Sequence, residues 1–458
     1  MRPTPDEFAD AWPRIVRALA ALTGSLDEAE EYAAESLARA AAHPHPSDSL
    51  AAWCTTVGKR AWLDAQRRRA TLARLVPQLA RPDVDETPMT HDPDDRLPGG
   101  DELDDRLALL YVACDGELSQ TSQLVLALRV VCGLTIPEIA THLGIQDTAA
   151  AARLTRAKKT LREARGSFRV PDSAERERRL PVVLACVAGL FTVAHRTSLD
   201  PADAFADTGR QALSIADALV ATRPDDPEVR GLRAVIRLGL ARRPGRLDET
   251  GTALALDEVD RSRWDQQLLR AGLSDAYLAM ENADVAPRRL VASRRLVASR
   301  RLVASRRLVA SRRLVASRRE EGVGRFTLEA AISGLHSVAP SFAETAWDAI
   351  VTLYDALEQV WRSPSVTVAH LAARMHRALA DGDAPELRHV ENELLELEAS
   401  AAAYARRDAR LALADLAWRT GLREQAAQRY RALADELTAE PLRRFCQRRA
   451  GDPAGWGA

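Results

Sequence analysis

The chain of 458 residues is rich in aliphatic residues and alanine, with 46% hydrophobic and only 5% aromatic content. That balance points to stacked helices, an all-α fold, with room for two or three domains. The formal charge of −1 is unevenly spread, since twelve arginines fall between Arg288 and Arg319 and removing those twelve charges from −1 leaves −13.

No run of ~18 uncharged apolar residues occurs and the opening MRPTPDEFADAW has no apolar export segment, so neither membrane insertion nor export is expected. Five scattered cysteines form no CxxC pair and have no histidine at metal-ligand spacing. The expectation is a cytoplasmic protein without metal or cofactor.

Apolar residues at three- and four-residue spacing in FADAWPRIVRALAAL and AAESLARAA predict helices from about Asp6 to Leu79, broken by the prolines of HPHPSDS at 43–49. Asp27, Glu28, Glu30, Glu31 and Glu35 crowd one of these helices. On a later one Lys59, Arg60, Arg67, Arg68, Arg69 and Arg74 are opposed only by Asp64. The first suits a basic partner and the second suits nucleic acid. Trp53 and Trp62 read either as core anchors of a small three-helix domain or as platforms for an unpaired base. Residues 81–105 carry ten acids against two arginines, the composition of an acidic flexible linker.

The stretch LALRVVCGLTIPEIATHLGIQDTAAAARLTRAKKTLREA predicts a short helix over 136–142, a turn at Gly144 and a second helix opening at Asp147 as its N-cap. This is the helix-turn-helix layout, whose second helix enters the DNA major groove. Seven basic residues and one acid lie between Arg153 and Arg169, charge of the kind that neutralises phosphates.

Helical texture resumes after FRVPDS and continues to the end, with breaks at TRPDDP, RRPGR, HSVAPS, RSPS and DGDAP. Leu413, Ala414, Ala417, Gly421, Ala426 and Tyr430 fall at the small and large positions of a tetratricopeptide unit.

Five copies of RRLVAS fill 288–317. Each six-residue copy advances about 240° around a helix, so its leucines never form one stripe, and as a strand neither face is clean. A slippage expansion fits best, since longer surface insertions cost little loop entropy. A basic arm with non-specific nucleic-acid affinity is the alternative. The sequence contains no HExxH, no nucleophile elbow and no glycine-rich phosphate loop, so catalysis is not expected.

LDEAEEYAAESLARA with LAAWCTTVGKRAWLDAQRRR resembles region 2 of extracytoplasmic-function sigma factors, and DDRLALLYVACDGELSQTSQLVLALRVVCGLTIPEIATHLG with its following helix resembles their region 4. The likeness continues through FRVPDSAERERRLPVVLA, DRSRWDQQLL, GRFTLEAAISGLHS and LYDAL. This is similar to the subgroup that carries a long helical, tetratricopeptide-like extension.

The resemblance implies that Asp27, Glu30, Glu31 and Glu35 bind RNA polymerase core. It gives contacts with the −10 element of promoter DNA to Lys59, Arg60, Arg67 and Arg68, and contacts with the −35 element to Thr148, Arg153, Arg156, Lys158 and Lys159. It also implies a division into region 2 (1–80), the linker (81–105), region 4 (106–170), a first part of the extension (171–287), the arginine insertion (288–319) and a tetratricopeptide-like part (320–458). The extension would regulate the factor in cis through a protein or small-molecule partner. Where the family's recognition helix opens with a polar run, this one has Ala149 to Ala152, whose methyls meet thymine methyls but make no bidentate base contacts. A diverged helix-turn-helix regulator that no longer programs polymerase is the alternative reading.

Overall fold

The computed structural model describes residues 4–42, 49–75, 103–197, 207–285, 323–437 and 439–451. The loop at 43–48, nearly all of the acidic linker and the whole arginine repeat lie outside the described residues. Among the described residues there are eighteen α-helices and no strand, arranged in two compact units, 1–218 and 219–458.

The first unit opens with α1 (Pro5–Thr23), α2 (Leu26–Ala42) and α3 (Leu50–Leu75). Thr4 and Glu7 close a reciprocal capping box at the start of α1, and Gly24, with φ of 72°, ends it in the left-handed region that glycine adopts without strain. Trp12, Ile15, Val16 and Leu19 are buried. Their spacing makes one apolar stripe on α1, and α2 and α3 both pack against that helix.

Next come α4 (Asp105–Ala113), α5 (Gln120–Val130), α6 (Ile136–Leu143) and α7 (Asp147–Arg165). Asp104 caps α4, its carboxylate accepting from the amides of Arg106 and Leu107. The unit continues into α8 (Ser173–Thr197), which packs on α4, α5 and α6 through buried Leu180, Val183, Leu184, Val187 and Leu190. The chain after residue 170 therefore first completes the core of the helices before it. Helix α9 (Thr208–Thr222) crosses the boundary between the units.

The second unit is built outward from α10 (Pro227–Arg242), α11 (Gln266–Val285) and α12 (Arg325–Val338). Small residues set their spacing, with Ala234, Ala276 and Ala330 meeting at the centre. A Cβ at Gly231 of α10 would stand 2.6 Å from the backbone of Phe326 and Thr327. Glu228 of α10 caps α12, accepting from the amides of Phe326 (3.0 Å) and Thr327 (2.9 Å), where a carboxylate is favoured by the helix dipole.

The segment DRSRW serves the other end of α12. Asp260 caps a single 3-10 turn, Arg261 donates to the carbonyls of His336 and Ala339, and Trp264 is buried beside Gly245. An arginine there satisfies carbonyls that a helix terminus leaves without partners.

The remaining helices are α13 (Trp347–Val360), α14 (Pro364–Asp381), α15 (Ala384–Ser400), α16 (Ala403–Arg419), α17 (Arg423–Glu436) and α18 (Glu440–Gly451). Each packs on the next. Leu413, Ala414, Ala417, Ala426 and Tyr430 are buried, and Gly421 turns the chain with φ of 77°. Helix α18 returns to the loop after α10, where Glu258 accepts from Arg448 (2.7 Å) and Arg449 (3.0 Å).

The close approach of α10 and α12 yields a prediction. Alanine in a helix interior normally gains about 1 kcal/mol over glycine. At Gly231 the added methyl meets backbone, which cannot rotate away, so Gly231→Ala should instead destabilise by about 1–3 kcal/mol. Urea unfolding checks this against Gly116→Ala, whose Cβ would find nothing within 4 Å and which should leave the midpoint unchanged.

Candidate nucleic-acid interface

The helix-turn-helix is built by local signals at three points. Thr135 accepts from the Glu138 amide while the Glu138 carboxylate accepts from the Thr135 amide (2.7 Å), and Pro137 occupies the first turn of α6. Gly144, with φ of 62°, ends α6. Asp147 is the first residue of α7 rather than its N-cap, which is Gln146 without a side-chain hydrogen bond, and α7 then buries Ala150, Leu154, Ala157 and Leu161. That stripe fixes which face remains for solvent.

On the solvent face Thr148, Arg156 and Lys159 are exposed, and Arg153 is half-buried. Lys159 lies 3.7 Å from Glu163 one turn on. Lys158 is placed differently. Its side chain is 11% exposed and forms ion pairs with Glu30 (2.8 Å) and Asp27 (2.9 Å) of α2.

Helix α3 presents Lys59, Arg60, Arg67 and Arg68 to solvent, with Arg67 3.2 Å from Asp64. Trp62 is half-buried and its Nε1 donates to Glu28 (3.1 Å), which also accepts from Arg69 (2.9 Å). Trp62 thus ties α3 to α2. Trp53 is half-buried as well.

The acids of α2 divide into two sets. Glu31 and Glu35 are exposed, with Glu35 paired to Arg39 in the same helix. Glu30 is buried at 4% exposure, between Lys158 and Arg129 (2.5 Å). Arg129 was not singled out by the sequence. It also donates to the Leu134 carbonyl (3.0 Å) and lies 5.5 Å from the Trp12 ring centre. The structure therefore joins Asp27 and Glu30, expected to meet one partner, to Lys158, expected to meet another, whereas Lys59, Arg60, Arg67 and Arg68 of α3 face solvent.

A second buried carboxylate orients α7, again without an obvious sequence signal. Asp115 follows α4 at 2% exposure and accepts from Arg165 at the end of α7 (2.9 and 3.0 Å), from Arg179 of α8 (2.7 Å) and from the Glu117 amide (3.0 Å). Burial pushes its carboxyl up, but the Arg165 and Glu117 hydrogen bonds and the Arg179 charge outweigh that and hold it below the usual carboxylate range.

The comparisons with known proteins agree with this geometry. Residues 111–161 match the family described as sigma-70, region 4, and residues 179–280 match a family of unknown function, DUF6596. The first of these matches supports a sigma-factor-like role in DNA binding. An uncharacterized protein of Rhizobium meliloti (strain 1021) is 29% identical over 369 residues, 80% of this chain and 78% of its own length. No solved structure matches the chain. Among the described residues no helix is long and apolar enough to cross a membrane.

The Asp115 node yields a prediction with a pH sign. Asp115→Asn leaves two arginines facing a neutral side chain and should destabilise the first unit by about 3–5 kcal/mol. Because the folded carboxyl titrates below its unfolded value of about 3.9, its contribution is complete above that pH and fades as pH falls further. Urea midpoints measured from pH 7 downward should drop below about pH 4 in the wild type. The asparagine variant should lack this part of the acid limb.

Proposed function

We propose that this chain is a sigma factor of the extracytoplasmic-function type, a non-catalytic subunit that directs bacterial RNA polymerase core to promoters. The observation that carries the reading is the coincidence of the sigma-70 region 4 match with a helix-turn-helix whose first helix is capped at both ends and whose second helix exposes Thr148, Arg156 and Lys159. In this reading α1 to α3 form the module for polymerase and the −10 element. Glu31, Glu35, Asp27 and Glu30 face polymerase, and Lys59, Arg60, Arg67 and Arg68 face DNA. Helices α4 to α7 form the −35 module, where Thr148 and Arg153 meet bases and Arg156, Lys158 and Lys159 meet phosphates.

The chain beyond residue 170 acts in cis as a regulatory extension with a protein or small-molecule partner. The consecutive helices of its last part, with the buried Leu413 to Tyr430 set, support a tetratricopeptide-like surface. The alanines from Ala149 to Ala152 favour a second reading, a DNA-binding regulator that does not program polymerase. Transcription by reconstituted core on a pool of genomic fragments separates the two. Discrete start sites that depend on the added chain support the sigma factor, and DNA binding without initiation supports the regulator.

Two variants test the division of labour. Glu31→Arg with Glu35→Arg reverses two exposed acids one turn apart while keeping good helix formers. Core binding in a pull-down should be lost with helicity unchanged. Arg156→Ala with Lys159→Ala should weaken all DNA sequences alike and lower the salt dependence of binding by roughly one per residue. An unchanged salt slope would remove α7 from the phosphate backbone.

A further inference from the structure

Several arginines of the second unit that leave water are met by carboxylates. Arg233 donates to Asp275 (2.7 and 2.8 Å), and Arg374 donates to Glu386 (2.8 Å) and Glu393 (2.9 Å). The C-terminal end of α12 is built differently. There Arg242 of α10 donates to the hydroxyls of Ser333 (3.1 Å) and Ser337 (3.3 Å) and to the Ser333 carbonyl (3.4 Å). These are neutral acceptors at or beyond the long end of the usual range of about 2.7–3.2 Å.

Arg261 reaches the same helix end. Its Nη1 donates to the carbonyls of His336 (3.0 Å) and Ala339, while its Nη2 is buried with no hydrogen-bond partner. Nδ1 of His336 is buried and unpartnered in the same way. Among the described residues neither Arg242 nor Arg261 forms an ion pair. Glu344, exposed on the loop after α12 and bonded to Ser341 (2.8 Å), acts on Arg261 from beyond that distance.

Helix capping does not account for this set. A helix C-terminus carries about half a negative charge, so two guanidiniums leave about 1.5 positive charges there, close to the opposite of the −1.5 to −2 or so of a phosphoryl group at neutral pH. Burial, Arg246 and Arg261 push the Arg242 pKa down to about 10, as expected of cations that face one another without an anion. Burial, with Arg242, Arg261 and His376 beside it, pushes His336 down to about 3. Its ring is therefore neutral at neutral pH and adds an N–H without adding charge.

We infer that Arg242, Arg261 and His336 form a binding site for a phosphate-type oxyanion, either free phosphate or the phosphoryl group of a small metabolite. The inference names the ligand class of the small-molecule partner proposed for the extension, and it rests on that reading for the ligand's role and not for its binding. The donors belong to three separate elements, α10, the turn before α11 and α12, and outnumber what the two oxygens of a carboxylate accept. Arg261 is already positioned, since its guanidinium lies 5.1 Å from the ring centre of buried Trp264. All three residues are partly exposed, so the site borders solvent, while the two unpartnered atoms are shielded from it. Hydrogen bonds to an anion gain strength in such surroundings.

Titration calorimetry of the full-length chain with inorganic phosphate should show saturable binding that chloride and acetate at equal ionic strength do not reproduce. At about a hundredfold excess over Kd the melting midpoint of the second unit should rise by about 5–10 °C. In nuclear magnetic resonance spectra the His336 ring signals should shift with phosphate, and those of exposed His389 should not. Arg242→Gln should weaken phosphate binding at least tenfold without lowering the midpoint measured in its absence, because repulsion from Arg246 and Arg261 is relieved. An arginine that serves only as a cap gives the reverse, a lower midpoint and unchanged affinity. Arg362→Gln, which removes one exposed charge from the same unit, should change neither quantity.

Ribose 5-phosphate separates the two sources, since tighter binding than phosphate itself places the phosphoryl group on a metabolite. The inference is overturned if phosphate does not bind, if acetate acts equally, if the His336 signals of the wild type stay still when phosphate binds, or if Arg242→Gln keeps full affinity. Failure of the functional reading looks different: phosphate binds as described, and core-dependent transcription does not respond to it.

Discussion

A carboxylate withdrawn from water must bring cations with it, because an uncompensated buried charge costs several kcal/mol. Among the described residues Glu30, Asp115 and Asp275 are carboxylates of this kind that tie helices together. Glu30 joins α2 to α5 and α7, Asp115 joins the end of α4 to α7 and α8, and Asp275 of α11 is held by Arg233 and Arg237 of α10. Each stands where three elements, or two long ones, would otherwise be related only by non-directional apolar packing. In this structure the orientation of α7 is set at one end by Asp115 and in its middle by Glu30.

Arginine suits this role because its guanidinium presents five donors in a fixed fork. Arg129 reaches a carboxylate, a carbonyl and an indole face at once. Arg179 joins the Tyr111 carbonyl, Asp115 and Glu175. Lysine, a single charged point, meets Glu30 through Lys158, which also pairs with Asp27.

Much of the fold was legible because its signals are local. The capping box at Thr135, the stop at Gly144 and the period of Ala150, Leu154, Ala157 and Leu161 are short-range patterns, and they place α6 and α7 where the sequence predicts them. The pairing of charges was not legible, since Glu30 and Arg129 are 99 residues apart and periodicity carries no information at that range. One signal was present: Glu30 shares a stripe with buried Ala33 and Leu37, a position where an acid is unusual. Asp115 gave none, being a lone acid after a helix end. The boundary after residue 170 read as a domain break because FRVPDS interrupts a helical pattern. A break in local pattern does not show where the next helix packs, and α8 returns to the core of α4 and α5.

Glu228 has a consequence for evolution of the chain. It pins the start of α12 to α10, and α11 is packed on the same helix, so the anchors on both sides of residues 286–322 are fixed without any help from the sequence between them. Were the connection a flexible chain between two fixed points, its closure cost would grow only with the logarithm of its length, and one more six-residue copy would add about 0.1 kcal/mol. Selection for a stable fold is therefore nearly blind to the number of copies. The number of copies is thus the feature of this chain that the packing of α10, α11 and α12 constrains least.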